Sequence, residues 1–137
     1  MITKALINID VDNLDHACTF YCNVFDLRVG RRMGDSVLEL LGAETPIYLL
    51  LKAAGTPASS RTSVTRTYER HWTPVHLDFV VDDVDAVVRK AVAAGATVED
   101  AATTHVWGRI AHLSDPFGHG ICILQFLNRG YDEVANG

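Results

Sequence analysis

Residues 76–85 read His-Leu-Asp-Phe-Val-Val-Asp-Asp-Val-Asp, and residues 6–15 read Leu-Ile-Asn-Ile-Asp-Val-Asp-Asn-Leu-Asp. Both stretches begin with an apolar segment typical of a strand and continue into an acidic turn. The offset between them is 70 residues, from 6 to 76. Side-chain oxygens in such a turn can cap the N-terminus of a helix. The repeat predicts a chain built from two similar halves.

Apolar residues at helical spacing follow each acidic turn. They are Leu14, Ala17, Cys18, Tyr21, Val24 and Phe25 in the first half, and Val84, Val87, Val88, Ala91 and Val92 in the second. Three short strands separated by turn residues then fit each half, over about 28–33, 36–41 and 46–52, and over about 97–106, 108–114 and 120–127. Each half is therefore predicted to be β-α-β-β-β.

These elements predict an α+β fold made of two βαβββ modules within a single domain, 1–137. Module 1 covers about 4–52 and module 2 about 74–127. Residues 53–73 are rich in Ala, Gly, Ser, Thr and Arg, which predicts a long polar linker. Residues 128–137 are predicted to form a frayed tail.

The composition indicates a cytoplasmic globular protein. Of 137 residues, 48% are hydrophobic and 21% are charged, and no apolar run approaches the roughly 18 residues of a membrane span. The start, Met-Ile-Thr-Lys, does not resemble a signal peptide. Twelve Lys and Arg against seventeen Asp and Glu argue against nucleic acid as a partner. The three cysteines show no CxxC spacing and are predicted to be free thiols.

Several local motifs carry a resemblance to a known family. They are Leu14-Asp15-His16-Ala17 with Phe20-Tyr21 and Val24-Phe25-Asp26-Leu27, then residues 76–83, then Trp107-Gly108-Arg109 and Asp115-Pro116-Phe117-Gly118-His119. Their order and spacing resemble the glyoxalase/bleomycin resistance protein/dioxygenase (vicinal oxygen chelate, VOC) superfamily over about residues 4–127. The resemblance implies a half-open, curved mixed sheet with a concave cleft. It also implies a homodimer.

The resemblance further implies where a metal would bind. Metal-using members carry ligands on the first and last strands of each module, and the repeat places these positions at Leu6, Tyr48, His76 and Cys122. Only His76 matches the family's usual ligands, so no metal cofactor is predicted, and a divalent metal is the disfavoured alternative. A shift of two residues on the first strand would offer Asn8 instead.

Other residues are candidates for contact with a ligand. His105, Trp107 and Arg109 alternate along a predicted strand and would present three side chains on one face, with a solvent-facing strand as the alternative. Trp72 offers an aromatic wall for a planar ligand. Within the linker, Arg61, Arg66 and Arg70 either close over an anionic ligand or are ordinary solvated charges.

Two functional hypotheses follow. The first is a binding protein that holds a small organic molecule in a metal-free cleft, of the antibiotic or natural-product sequestration type, with His76, Tyr48 and Cys122 in contact with the ligand. The second is a lyase, isomerase or dioxygenase-like enzyme, with or without a divalent metal, in which His76 acts with Glu39 or Tyr48 and in which His76 and Glu39 are the first acid–base pair to test. A structural role is the alternative for His76, and an exposed surface position is the alternative for Glu39. The two-His, two-Glu pattern of glyoxalase I is absent.

Overall fold

The duplicated sequence forms a duplicated structure, with the order β-α-β-β-β twice. The computed structural model describes residues 1–137. It divides into two compact units, Met1–Glu69 and Arg70–Gly137, and each contains one four-stranded sheet and one α-helix. The prediction of an α+β fold made of two βαβββ modules is confirmed.

The first unit contains one mixed sheet. Its elements are β1 (Ile7–Val11), α1 (Leu14–Phe25), β2 (Arg28–Met33), β3 (Val37–Leu41) and β4 (Ile47–Leu51). The strand order is β1-β4-β3-β2, with β1 parallel to β4 and the other pairs antiparallel. Helix α1 is the crossover that follows β1, as expected where neighbouring strands run parallel.

The second unit repeats this plan. Its elements are β5 (Leu77–Val80), α2 (Val84–Ala93), β6 (Thr97–Thr104), β7 (Gly108–Ser114), β8 (Gly120–Phe126) and a short 3₁₀ helix (Gly130–Glu133). The strand order is β5-β8-β7-β6, again with one parallel pair, β5 with β8. In both units the first strand is an edge strand of its sheet.

The two acidic turns cap the two helices in the same way. The Asn13 side chain accepts a hydrogen bond from the His16 amide at 2.9 Å, and the Asp83 side chain accepts one from the Ala86 amide at 3.0 Å. Each bond satisfies an amide at the helix N-terminus that has no partner within the helix. The prediction that these turns begin helices is confirmed.

Strand alternation gives each sheet two different faces. In the first unit Leu38 and Leu49 are cross-strand partners and both are buried against α1. Ile123 and Leu113 are buried in the same way on the α2 side of the second sheet. We call the opposite surfaces the open faces. The first open face carries Asn8, Arg31, Glu39 and Tyr48, and the second carries Asp78, Asp100, His112 and Cys122.

Most of the predicted linker is part of the first unit. The Arg66 guanidinium donates to Asp10 on β1 at 2.9 Å and to the carbonyl oxygens of Pro57 and Ala58. The Tyr68 hydroxyl donates to the Lys52 carbonyl oxygen. Arg66 therefore fastens this loop to β1 and is not a solvated charge. Residues 70–73 belong to the second unit.

The C-terminal segment contains a short 3₁₀ helix that the sequence did not predict. Tyr131, in the 3₁₀ helix, packs against Trp107 with ring centroids 5.5 Å apart and edge-on against Phe126 at 4.8 Å. These aromatic contacts give the segment packing partners that a frayed tail would lack, so the prediction of fraying is wrong for this helix. Neither α-helix is long and apolar enough to cross a membrane.

Candidate functional site

A cluster of three ionisable side chains lies where β5 meets β8. His76 directly precedes β5, and its Nε2 lies 3.4 Å from Asp78 Oδ1. Asp78 is the cross-strand partner of Cys122 in the parallel β5–β8 pair. One donor atom from each of the three side chains lies within 4.8 Å of the others. His76 and Cys122 were expected to be close, and the structure brings them together through Asp78.

A second histidine–carboxylate pair lies on the other side of Cys122. His112, on β7, is the antiparallel partner of Cys122, so both side chains lie on the second open face. His112 Nδ1 lies 2.9 Å from Asp100 Oδ2 on β6. Cys122 thus has one His–Asp pair on each side along the sheet, His76–Asp78 on the β5 side and His112–Asp100 on the β7 side.

These side chains line a cavity of about 260 Å³ within the second unit. Its wall also contains Trp72, which is 79% exposed, and Arg70, which binds Glu99 through two hydrogen bonds of 2.6 and 2.9 Å. Arg70 lies against Gly120, where a Cβ atom would come within 2.6 Å of its guanidinium. The cavity therefore combines an exposed indole, two imidazoles and a thiol.

Burial controls the ionisation of the Cys122 thiol. Loss of solvent raises its pKa to about 12, and the Asp78 carboxylate, which is close enough to accept its hydrogen bond, adds to the rise. Both effects disfavour the thiolate. Cys122 is therefore protonated at neutral pH unless a base removes its proton.

The first open face carries an ion pair where the second carries the cavity. Arg31 binds Glu39 with its Nη2 at 2.6 Å and its Nε at 3.1 and 3.2 Å, and its backbone amide also donates to this carboxylate. Tyr48 donates its hydroxyl hydrogen to Glu39 at 2.9 Å. These bonds, led by those from Arg31, lower the pKa of Glu39 to about 2 despite its burial.

This network changes the interpretation of Glu39. The alternative of an exposed surface position is wrong, because Glu39 is only 4% exposed and is covered by its partners. A carboxylate whose pKa is about 2 is a weak proton acceptor near neutral pH. Nothing in this network joins Glu39 to His76. The pairing of these two residues as acid and base stays a prediction that the network does not favour.

Five predicted ligand contacts are not part of the cavity wall, namely Asn8, Tyr48, His105, Trp107 and Arg109. Residues 105–108 form the tight turn between β6 and β7, with the His105 amide bonded to the Gly108 carbonyl oxygen. The prediction of one strand face for His105, Trp107 and Arg109 is therefore wrong. His105 stacks on Trp107 at 5.1 Å, and Arg109 binds Asp85 of α2 at 2.9 Å. Leu6 and Asn8 are exposed residues of the first unit.

Comparison with known proteins identifies the family. Residues 6–124 match the profile of the Glyoxalase-like domain family. The chain belongs to this glyoxalase-like family. The anthracycline biosynthesis protein DnrV of Streptomyces peucetius is 35% identical to it over 100 residues, which are 72% of this chain and 34% of DnrV. The chain thus spans about a third of the length of this curated relative.

Solved structures share the glyoxalase-like fold at low sequence identity. A glyoxalase/bleomycin resistance protein/dioxygenase family enzyme from Burkholderia phytofirmans superposes with a TM-score of 0.69 at 23% identity, covering 89% of this chain and 97% of that one. The fosfomycin resistance protein FosX of Mesorhizobium loti gives 0.70 at 16% identity, covering 98% and 100%. These likenesses establish the fold.

The residues present do not fit the four-ligand metal site of metal-using glyoxalase-like proteins. Of the equivalent positions, Leu6 has no donor atom, and the Tyr48 hydroxyl is bonded to Glu39. Cys122 has a raised pKa, and a thiol must lose its proton to bind a metal. His76, Asp78 and Cys122 form a mixed nitrogen, oxygen and sulfur set from one unit. That set differs from the oxygen- and nitrogen-rich donors expected of the family.

Sequence reasoning missed Asp78, Asp100 and the pairing of His112. Asp78 lies two residues after His76, so strand alternation could have placed both side chains on one face. The His112–Asp100 pair depends on the register of β6 with β7, which is interrupted on both sides of Asp100. No pattern in the sequence marks those interruptions.

Proposed function

We propose that this protein binds a small organic natural product in the cavity of its second unit without using a metal. The observation that carries the proposal is the cavity itself, with Trp72, His76, His112 and Cys122 in its wall. Its volume of about 260 Å³ lies just below the range for sites that hold a drug-sized molecule, roughly 300–1,000 Å³. A cavity of this size receives one ring system of a larger ligand.

Two other depressions on the surface lack this chemistry. One, of about 440 Å³, is formed by residues 126–132, and another, of about 410 Å³, lies near Asp12 and Arg32. Both are more open to solvent, and neither contains a histidine or a cysteine. The smaller cavity is therefore the better candidate for a specific ligand.

The relatives suggest the chemical class of the ligand. DnrV is named for anthracycline biosynthesis, and FosX is named for fosfomycin resistance. Of these two kinds of compound, we propose the first as the ligand, a planar aromatic natural product of the anthracycline type, because the exposed Trp72 ring offers a face for stacking. Sequestration of such a compound would need binding only.

Calorimetric titration with an anthracycline tests the binding proposal. We expect one site per chain, weakened by Trp72→Ala and unaffected by Tyr131→Ala, which also removes an exposed aromatic ring but lies outside the cavity wall. Titration with Mn²⁺ and Zn²⁺ tests the metal-free part. A stoichiometric metal site of micromolar or better affinity would overturn that part, and an anthracycline affinity unchanged in Trp72→Ala would overturn the proposed site.

A second candidate function is a lyase or isomerase, favoured by the two His–Asp pairs on one face. A carboxylate that holds one ring nitrogen orients the imidazole and favours its action as a base through the other nitrogen. For this second function we propose that His76 acts as the acid–base residue together with Asp78 and not with Glu39. Turnover of an identified substrate should fall about a hundredfold in His76→Gln, and full retention would argue against this function.

We also propose a homodimer, on the family resemblance and on the character of β5. Val80 of β5 is 59% exposed, Val75, two residues before the strand, is 81% exposed, and β5 pairs with one strand only. An unpaired strand edge is a template for pairing with another chain. Light scattering should give about 30 kDa, twice the 15.0 kDa of one chain. A mass of one chain at micromolar concentration would contradict the dimer.

A further inference from the structure

We propose that Cys122, His112 and Asp100 form a reactive array in which the Cys122 thiol adds covalently to an electrophilic carbon of the bound molecule. His112 is the base that removes the thiol proton, and Asp100 holds the His112 ring in position. The inference rests on the proposed function, because it assigns a reactive class of ligand to the same cavity. The three residues occupy adjacent strands, β8, β7 and β6, and all three line the cavity.

The geometry supplies each part of the array in order. Asp100 holds His112 through Nδ1 at 2.9 Å, which leaves Nε2 free of that bond to take a proton. His112 and Cys122 are direct antiparallel partners, and such partners have Cβ atoms about 4.5–5.5 Å apart. Carboxylate, imidazole and thiol therefore follow one another across the open face of the sheet.

The buried state of Cys122 makes a neighbouring base necessary. A thiol is a poor nucleophile until it loses its proton, and burial together with Asp78 holds this one protonated at neutral pH. Reaction must therefore couple proton removal to bond formation. We assign this transfer to His112, the cross-strand neighbour of Cys122 in the cavity wall. His76, whose Nε2 lies 3.4 Å from Asp78, lines the same cavity.

The ligand class follows from the chemistry of sulfur. A thiolate prefers soft carbon electrophiles, so the expected ligand contains a carbon–carbon double bond conjugated to a carbonyl, as in an enone or a quinone. The S–H bond breaks, a C–S bond forms at the β-carbon, and the electron pair of the double bond moves to the α-carbon as an enolate. The sulfur proton passes through the His112 ring to that carbon. The product is a thioether, and no oxidant, reductant or co-reactant is consumed.

The experiment uses N-ethylmaleimide as the probe. Cys18→Ser and Cys22→Ser are introduced first, so that Cys122 is the remaining thiol. Intact mass should increase by one maleimide, located on Cys122 by peptide mapping. His112→Gln should slow the addition about a hundredfold, and Asp100→Asn should slow it less. His16→Gln, a matched change at an exposed histidine of α1, should leave the rate unchanged.

The pH profile separates a base from a merely structural histidine. The rate in the parent protein should rise between about pH 5.5 and 7.5, where imidazoles lose their proton, and His112→Gln should lose this rise. Far-UV circular dichroism checks that each variant is folded, and a second variant, His112→Asn, should show the same loss of the rise as His112→Gln.

Equal rates in parent and variants, or no adduct on the folded protein, would overturn the array. Anthracycline binding without any adduct would refute this inference and leave the proposed function standing. An adduct without anthracycline binding would do the reverse.

Discussion

The two open faces of this protein occupy equivalent positions of one duplicated scaffold and carry different chemistry. On the first, Glu39 is paired across the strands with Tyr48, and on the second, His112 is paired with Cys122. The flanking residue is Arg31 in one case and Asp100 in the other, each bonded to its neighbour. Both partners are exchanged between the faces, so that an Arg–Glu ion pair on the first stands where a His–Asp pair stands on the second.

Because of this exchange, we expect the two open faces to have different roles. On the first face the guanidinium meets the carboxylate side-on with two of its nitrogens, a strong geometry that also covers the carboxylate. On the second face His112 and Asp100 remain 47% and 74% exposed and leave room for a ligand beside the thiol. We therefore expect the first face to contribute stability and the second to contribute binding.

The largest expected effect is common to both units. Leu49 and Ile123 occupy equivalent strand positions and are both fully buried. Truncation of either to alanine removes packing and leaves a cavity, at a cost of about 2 to 5 kcal/mol. Urea unfolding of Leu49→Ala followed by circular dichroism, and of Ile123→Ala followed by fluorescence, measures the two costs. Fluorescence suits the second unit because both tryptophans lie in it. An unchanged midpoint in either variant would contradict the assigned cores.

A smaller effect, the loss of stability on substitution, should differ between the two open faces and should depend on pH. In the folded protein the Glu39 pKa is about 2, below the ordinary 4.5, so its contribution to stability is complete above about pH 4.5 and is lost as pH falls through 2. Glu39→Gln should therefore lower the melting temperature clearly at pH 7 and much less at pH 2.5. The equivalent change on the second face, His112→Gln, should have little effect at pH 7 because that pair is exposed. Equal losses in the two variants at pH 7 would remove the distinction.

Anthracycline affinity should change on substitution in the second unit and not on substitution at the first open face. Trp72→Ala should weaken anthracycline affinity about tenfold, which corresponds to roughly 1.4 kcal/mol, through loss of stacking. Tyr48→Phe, which removes a hydroxyl from the first face, should leave affinity unchanged. Isothermal titration of both variants tests this. A stronger effect from Tyr48→Phe would move the site to the first unit.

The smallest expected effect should again be shared. Asn13→Ala and Asp83→Ala each remove one hydrogen bond at a helix N-terminus and should each cost about 1 kcal/mol. Chemical denaturation of the two variants gives the comparison directly. Loss of stability in only one of them would mean that the duplicated turns are not equivalent.

The sequence predicted the elements well because their signals are local. The acidic turns with Asn13 and Asp83 and the apolar spacing after them were sufficient to predict both helices, and the strand bounds differ from the prediction by two residues or fewer at each end. The site was predicted only in part. His76 and Cys122 were identified through the repeat, whereas Arg31–Glu39 and Asp100–His112 depend on irregular strand register. The side-chain pattern of a strand does not reveal where its pairing slips.

The absence of a side chain at Gly120 makes room for Arg70 in the cavity wall. The Arg70 guanidinium lies where a side chain at position 120 would be, only 2.6 Å from the place of a Cβ atom. A larger residue there would displace the Arg70 guanidinium, which binds Glu99 through two hydrogen bonds, and would change the cavity wall on the side of Arg70. A substitution at position 120 is thus a way to vary the space for a ligand without replacing any of the reactive side chains.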